Sequence, residues 1–376
     1  MRKLLKWIII ILIIYSASSY FLEKKNSLSL PGELKDIQNT VNQDSVSSII
    51  NLIQDEFGKL TSLFSQTEDL LPDWNVEENT EEVEQPTLTT PENQTFSIYN
   101  ISLGDDKTTV EEKIGQPQRE TINEYGIYWF TYHQNYQNFV MVGYDDNEKV
   151  VALYTNQDLI SSKNNIVLGT EKDQVLEQLG EPLTQIQKGF VSYKMPADRD
   201  YEIFYKDSSY ITVVFDKHEN NTVTAMQIIS ASSEDNRDDF YVNGSEKLKE
   251  GFEYQLFDLT NSSRVKNHLK ALTWDDSVKE TARDHSLDMA ENNYFDHTNL
   301  DGESPFDRML KDGIRYTMAG ENLAYGQYSS IFAHEGLMNS LGHRENILQK
   351  DFTYLGVGVA FNDKSQPYYT ENFFTK

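Results

Sequence analysis

Gly320-Glu321-Asn322-Leu323-Ala324 and Asn339-Ser340-Leu341-Gly342-His343-Arg344-Glu345-Asn346-Ile347-Leu348 decide how the C-terminal third of this chain is read. His297 lies 24 residues before Glu321, and His343 lies 22 after it. Each stands beside a Gly, Asn or Ser turn signal, so the spacing predicts a site built on loops, where a scaffold commonly displays its chemistry. Two neutral imidazoles and a carboxylate make a three-ligand set for zinc, with a fourth position left to water. Such a water could attack a carbonyl or phosphoryl centre, with Glu321 as ligand or base. The alternative is structural. Glu321 would then bond backbone amides, and the histidines each other or a loop carbonyl.

Around these stretches the pattern from 250 to 376 reads helix, helix, loop, helix, strand, strand. Phe252, Leu256, Leu259 and Val265 share one helical face. Trp274-Asp275 opens a second helix, with Val278, Ala282, His285 and Met289 on its apolar side. Residues 331–340 make a third helix that ends before Gly342. Tyr354-Leu355-Gly356-Val357-Gly358-Val359-Ala360-Phe361 reads as a buried strand whose glycines mark close approach of neighbours. Pro367 to Phe374 makes a closing strand. Helices flanking a small antiparallel sheet predict an α-β-α sandwich within an α+β chain.

Three motifs then stand in order: His297-x-x-x-x-Gly302-x-Ser304-Pro305, Gly320-Glu321-Asn322-Leu323-Ala324 and Ser340-x-Gly342-His343-Arg344-x-Asn346-Ile347-Leu348. Together they resemble the bacterial branch of the CAP superfamily of cysteine-rich secretory proteins, antigen 5 and pathogenesis-related 1 proteins. The resemblance implies a cleft lined by His297, Glu321, Asn322, Ser340 and His343. It also implies that His297, Glu321 and His343 match three members of a two-His, two-Glu tetrad able to bind zinc or another divalent cation. The fourth Glu of that tetrad falls at Ser340, Leu337 stands where bacterial relatives usually carry Trp, and the cysteines of the eukaryotic branch are missing.

Other catalytic patterns are weaker. His334-Glu335 begins like a zinc-protease helix, but position 338 is Met rather than His. Ser340 is close to His343 in sequence, with no evident third residue to orient the ring. His285 sits on an apolar helix face and reads as a satisfied core histidine. His268 ends the first helix, where partial positive charge suits the dipole.

N-terminal to this domain, Ile101-Ser102-Leu103-Gly104 recurs as Ile166-Val167-Leu168-Gly169. Val110, Ile114, Gly115 and Pro117 recur as Val175, Leu179, Gly180 and Pro182, all at an offset of 65. Each copy predicts a strand end, a short helix capped by Asp105 or Thr170, a Gly-x-Pro stop and three strands. The two copies are expected to pair into one α+β domain over 97–232, which resembles the CAP-associated N-terminal domain of Gram-positive surface proteins. His133 and His218 fall there without metal-site partners. Residues 233–249 and 71–96 are acidic and read as linkers.

Residues 33–70 carry Val46, Ile49, Ile50, Ile53, Phe57, Leu60 and Phe64 at helical spacing. This is either a self-associating stalk (the stripe at 46–64) or a helix docked on a neighbour. Residues 1–25 pair a basic flank with an apolar run from Trp7 to Leu22, as in a signal peptide or a single membrane anchor. The rest then faces outwards, anchored or secreted. The chain has 376 residues, a formal charge of -27 and no cysteine. That charge repels nucleic acid and anionic polymers, and disulfides and thiolate metal sites are excluded. The expected function is a binding module at a bacterial cell envelope, holding a wall component, a lipid or another protein. The alternative is a metal-dependent hydrolase on peptide or wall substrates, with Glu321 as the catalytic group. The incomplete tetrad favours binding.

Overall fold

The computed structural model describes residues 83–376, apart from 189, 190 and 238. The expected leader at 1–25, the segment at 33–70 and the linker as far as residue 82 lie outside the described residues. Residues 83–95 form no regular element but do not run free. Val83 N–H donates to Gln137 Oε1 at 3.1 Å, and Asn138 Nδ2 donates to Glu84 O at 3.0 Å.

The first half runs β1 (Phe96–Ile98), α1 (Lys107–Ile114), β2 (Arg119–Ile122), β3 (Tyr128–Gln134), β4 (Gln137–Tyr144), β5 (Val150–Thr155) and β6 (Ile160–Ser162). It continues with α2 (Lys172–Leu179), β7 (Gln185–Lys188), β8 (Val191–Lys194), β9 (Tyr201–Lys206), β10 (Ser209–Asp216) and β11 (Thr222–Ser230). Two antiparallel meanders, β3-β4-β5 and β9-β10-β11, join through β5 and β11 into a seven-stranded sheet of order β2-β3-β4-β5-β11-β10-β9. The equivalent helices α1 and α2 each end on a left-handed glycine, Gly115 at φ 83° and Gly180 at φ 79°. The expected caps are displaced by one residue. Asp106 and Glu171 hold the N-cap positions without a side-chain capping bond, while Asp105 and Thr170 accept the amides of Ser102 and Val167 in the preceding turn.

Strand alternation splits this sheet into two apolar faces. Val140, Val142, Leu153, Val213 and Phe215 pack with Val110 and Val175 of its own helices. Phe139, Met141, Tyr154 and Val214 face the other way and pack with Leu259 and Ile331 of the C-terminal half. A sheet covered on both sides explains why 139–144 reads as an almost continuous apolar run.

The second half runs α3 (Ala231–Asp235), α4 (Glu246–Lys266), β12 (Thr273–Trp274), α5 (Asp276–Asn292), α6 (Pro305–Lys311) and β13 (Met318–Tyr325). Then come α7 (Ser330–Met338), α8 (Leu341–Ile347), β14 (Tyr354–Phe361) and β15 (Pro367–Thr375). The sheet order is β12-β14-β15-β13, antiparallel except for the short β12–β14 pair. Helix α5 covers one face at the expected glycines. A Cβ at Gly358 would stand 2.1 Å from Arg283 N, and one at Gly356 2.3 Å from Lys279 N. Leu256 of α4 and Leu337 of α7 share a core with Leu355, Val357 and Tyr369 of the sheet. This is the expected α-β-α sandwich. Asp275 caps α5 as the sequence predicts, accepting from Ser277 and Val278 N–H.

Two local expectations are corrected. The helix expected at 331–340 stops at Met338, and a second helix, α8, starts at Leu341 and contains Gly342. Residues 233–249, expected as a solvated linker, carry a buried ionic cluster. Glu234 Oε1 accepts from Lys188 Nζ at 2.6 Å and from Arg237 Nη2 at 2.8 Å. The Arg237 guanidinium lies 4.5 Å from the Tyr328 ring and 5.3 Å from the Tyr125 ring. One of its acidic residues, Glu234, thus serves an internal salt bridge, while Asp235, Asp239 and Glu246 are exposed. The described residues all belong to one compact unit.

Candidate functional site

Strand β13 carries the centre of the site. Pairing with β15 places Glu321 opposite Asn372 and Asn322 opposite Glu371. Successive strand residues point to opposite faces, so Glu321 and Asn322 serve different clusters. The site is therefore not built on loops throughout. Glu321 and Asn322 lie on a strand and His343 on a helix, and only His297 is in a loop. Gly320 and Asn322 are turn-type residues recruited into an edge strand. At Gly320 the reason is space, since a Cβ would stand 2.9 Å from the Phe352 ring.

On one face, Glu321 Oε1 accepts from His297 Nδ1 at 2.9 Å and Oε2 accepts from Arg308 Nη2 at 2.6 Å. The carboxylate side chain is 1 % exposed and the guanidinium 7 %, whereas the imidazole is 51 % exposed. A carboxylate only accepts, so Nδ1 carries the hydrogen and Nε2 is the ring's remaining polar atom. The hydrogen bond to Glu321 raises the His297 pKa above its ordinary value, against the opposing effect of burial. Arg308 also donates from Nη1 to His297 O at 2.8 Å and to Glu303 O at 3.1 Å. Ser304 and Asp307 form a reciprocal capping box with Pro305 at the first turn of α6. That box fixes the helix that aims Arg308. Behind the loop, His285 Nε2 donates to Asp296 O at 2.9 Å, and burial lowers its pKa. His285 is thus a core histidine, as expected, and it anchors the residue next to His297.

On the other face, Asn322 Nδ2 donates to Glu371 Oε2 at 3.0 Å and to His343 O at 3.2 Å. Asn346 Nδ2 donates to Asn322 Oδ1 at 2.9 Å and to Glu321 O at 3.2 Å. Thr260 Oγ1 donates to Glu371 Oε1 at 2.7 Å. Burial pushes the Glu371 carboxyl up to about 7. His343 Nδ1 meets Ser340 Oγ at 2.8 Å, three residues back on the same helical turn. Burial, and then the neighbouring His297, lower the His343 pKa.

Of the residues the sequence singled out, His297 and Glu321 meet, Ser340 and His343 meet, and Asn322 braces the backbone of His343. The expected zinc set of His297, Glu321 and His343 does not assemble. Among the described residues no group of three or more His, Cys, Asp or Glu is placed to hold a metal ion. Both Glu321 oxygens accept from protein donors, and His297 turns Nδ1–H to Glu321, which leaves Nε2 as its lone-pair nitrogen. A three-ligand set in which zinc bonds Glu321 together with His297 and His343 is not formed as arranged. His334 and Glu335 face away from the cleft, where Ser263 Oγ meets His334 Nε2 at 2.7 Å and Tyr154 OH donates to Glu335 Oε1 at 2.5 Å.

Sequence reasoning missed Arg308, Asn346 and Glu371. The capping-box spacing of Ser304 and Asp307 was the available signal for Arg308, because it starts a helix at Pro305 and puts residue 308 on its first turn. Asn346 lay inside the quoted motif, one α8 turn from His343. Nothing local marks Glu371 as buried.

Fold and site together define an α-β-α sandwich of CAP type, docked on an α+β domain. The family model for the cysteine-rich secretory protein family matches residues 257–373, and that for the CAP-associated N-terminal domain matches 103–240. The membrane protein YlbC of Bacillus subtilis (strain 168) is 30 % identical over 293 residues, covering 73 % of this chain and 82 % of YlbC. YkwD of the same organism is 42 % identical over 125 residues, covering 33 % of this chain and 48 % of YkwD. A crystal structure of an extracellular SCP-domain protein from Bacillus anthracis str. Ames has a TM-score of 0.64 at 25 % identity, covering 78 % of this chain and all of that one (100 %). A cysteine-rich secretory protein from Staphylococcus aureus Mu50 has a TM-score of 0.58 at 16 % identity, covering 73 % of this chain and 91 % of that one, and shows the shared fold. The chain belongs to the bacterial branch of the cysteine-rich secretory protein (CAP) family, with a CAP-associated domain ahead of the CAP domain.

Proposed function

We propose that this protein is a binding module at the outer face of a bacterial cell envelope, and that the rim of its CAP cleft takes a ligand presenting an uncharged, apolar group. The observation that carries this is the distribution of exposed apolar side chains. Ten large apolar residues are exposed among the described residues, and six of them, Phe295, Leu300, Phe306, Leu310, Tyr325 and Leu341, lie on the elements that hold His297, Glu321, Arg308 and His343. Exposed apolar side chains concentrated around one site mark an interaction surface. A formal charge of -27 weighs against anionic lipids and anionic wall polymers.

An envelope location draws on the basic-apolar N-terminus, on the name of YlbC as a membrane protein and on the extracellular SCP-domain neighbour. No helix among the described residues is long and apolar enough to cross a membrane, so an anchor would be the N-terminal segment. The hydrolase alternative finds little support in Glu321, whose oxygens are both engaged by donors.

The test is a titration of the whole chain with a fluorescent neutral monoacylglycerol, beside a Leu300→Ser/Leu341→Ser variant. Both leucines are more than half exposed, so their loss spares the core. The expected result is binding that weakens at least about tenfold in the variant. Equal binding by both proteins, or none by the wild type, would remove the apolar rim as the ligand surface.

A further inference from the structure

We infer that Arg308 is the resident cation of the CAP cleft: it occupies the electrostatic place expected for a divalent metal ion and holds His297 on Glu321 in a metal-free site. Charge balance inside the cleft is independent of what binds the rim.

A buried carboxylate needs a compensating charge and hydrogen bonds to its oxygens. Glu321 has both without a metal. Its Oε2 lies 2.6 Å from Arg308 Nη2, and its Oε1 lies 2.9 Å from the His297 ring. The guanidinium does not lose its proton, so with neutral His297 the cluster is balanced.

Zinc bonds carboxylate oxygen at roughly 2.0–2.2 Å. Each Glu321 oxygen keeps a second lone pair, but a zinc ion placed on it would stand beside the Arg308 guanidinium, whose side chain is 7 % exposed, and would add two positive charges to a cluster already balanced. The same charge opposes a metal on His297 Nε2. Arg308 is also fixed from behind by the carbonyls of His297 and Glu303, so it cannot swing aside without releasing the loop from 297 to 303. The fork geometry of arginine suits this double duty, one nitrogen taking the carboxylate and the other the two carbonyls.

The experiment is a zinc titration of the whole chain from metal-free buffer, read on the ring resonances of His297 by NMR. Total zinc uptake is a poor readout on so acidic a surface. In the wild type the His297 signals are expected to stay unmoved at stoichiometric zinc. In Arg308→Met, with its fold verified by near-UV circular dichroism, zinc is expected to move them saturably. The gain is at least about tenfold in affinity and is lost again in Arg308→Met/Glu321→Gln. Zinc-dependent shifts in the wild type that vanish in Glu321→Gln would overturn the inference. So would a folded Arg308→Met that binds zinc no better than the wild type. Should Arg308→Met fail to fold, the wild-type titration still decides, joined by Arg308→Lys. That variant keeps the charge and should still exclude zinc, and uptake by it at Glu321 would overturn the role given to the cation.

Discussion

At the scale of single residues, the cleft is organised by one carboxylate shared between an imidazole and a guanidinium. Removing Arg308 as Arg308→Ala strands a buried charge, which costs about 3–5 kcal/mol in comparable pairs. Equilibrium urea unfolding should show that loss as a lowered midpoint. His297 and His343 should titrate apart. The Glu321 hydrogen bond raises His297, whereas burial and the nearby His297 lower His343. The sign for stability follows. The protonated His297 pair contributes fully below the ordinary imidazole value of about 6.5 and fades as pH rises through the raised folded value. NMR titration of the two rings measures the split, and Glu321→Gln should bring the His297 value down. Either an unsplit pair or an unmoved His297 in that variant would contradict the geometry. His297, Glu321 and His343 were legible in the sequence because motif order and spacing name them. Their partners were not. Arg308 and Glu371 act across the fold, and no local pattern distinguishes a buried charged residue from the many solvated ones.

At the scale of elements, the long amphipathic pieces were readable and the short ones were not. The period of Val278, Ala282, His285 and Met289 predicts α5, and all four lie on its buried stripe, with Thr281, Ser286 and Ala290. Strand β14 is equally plain, because alternating Gly and Val can only be a strand pressed against a neighbour. Gly358→Ala should therefore push α5 off the sheet, at about 1–3 kcal/mol for overpacking, visible as a lower thermal midpoint. Helix α8 was missed because Gly342 reads as a stop, although its backbone is simply helical there. Strand β13 was missed because Gly320 and Asn322 read as turn residues, although Gly320 is dictated by the Phe352 ring packed on it and Asn322 by Glu371 across the sheet. Strand β15 holds the buried Glu371 between Thr260 and Asn322. Its carboxyl is raised from 4.5 to about 7, so it destabilises the folded state as pH climbs between those values. Burial raises Glu335 to about 7 with the same sign. Glu371→Gln keeps the shape and the bond from Asn322, with the Thr260 hydroxyl turned to accept from the new Nε2. It should flatten part of the loss of stability between pH 4.5 and 7 and leave the protein more stable at pH 8. An unchanged pH slope in denaturant melts would show that Glu371 titrates normally.

At the scale of the whole molecule, the CAP-associated domain is a wall of the CAP domain rather than a spacer. Its sheet contributes Met141, Tyr154 and Val214 to a core shared with Leu259 and Ile331. Ion pairs on buried carboxylates join the halves as well. Arg119 Nε meets Asp258 Oδ2 at 2.8 Å, and Arg344 Nη1 meets Asp216 Oδ2 at 2.7 Å. Two domains were legible as separate repeats and motifs, but their fusion was not, because a doubly covered strand looks the same whichever partner covers it. Residues 83–240 or 250–376 produced alone should expose this face, bind a hydrophobic dye and melt earlier than the whole. Two independent transitions in the calorimetry of residues 80–376 would refute a shared core.

One consequence reaches beyond stability. Because the counter-charge of Glu321 is written into the polypeptide, the cleft is electrically complete as soon as α6 docks on β13. Its maturation then asks nothing of the surroundings. A medium stripped of trace elements, or a competitor that sequesters them, should leave it as well formed as a rich one.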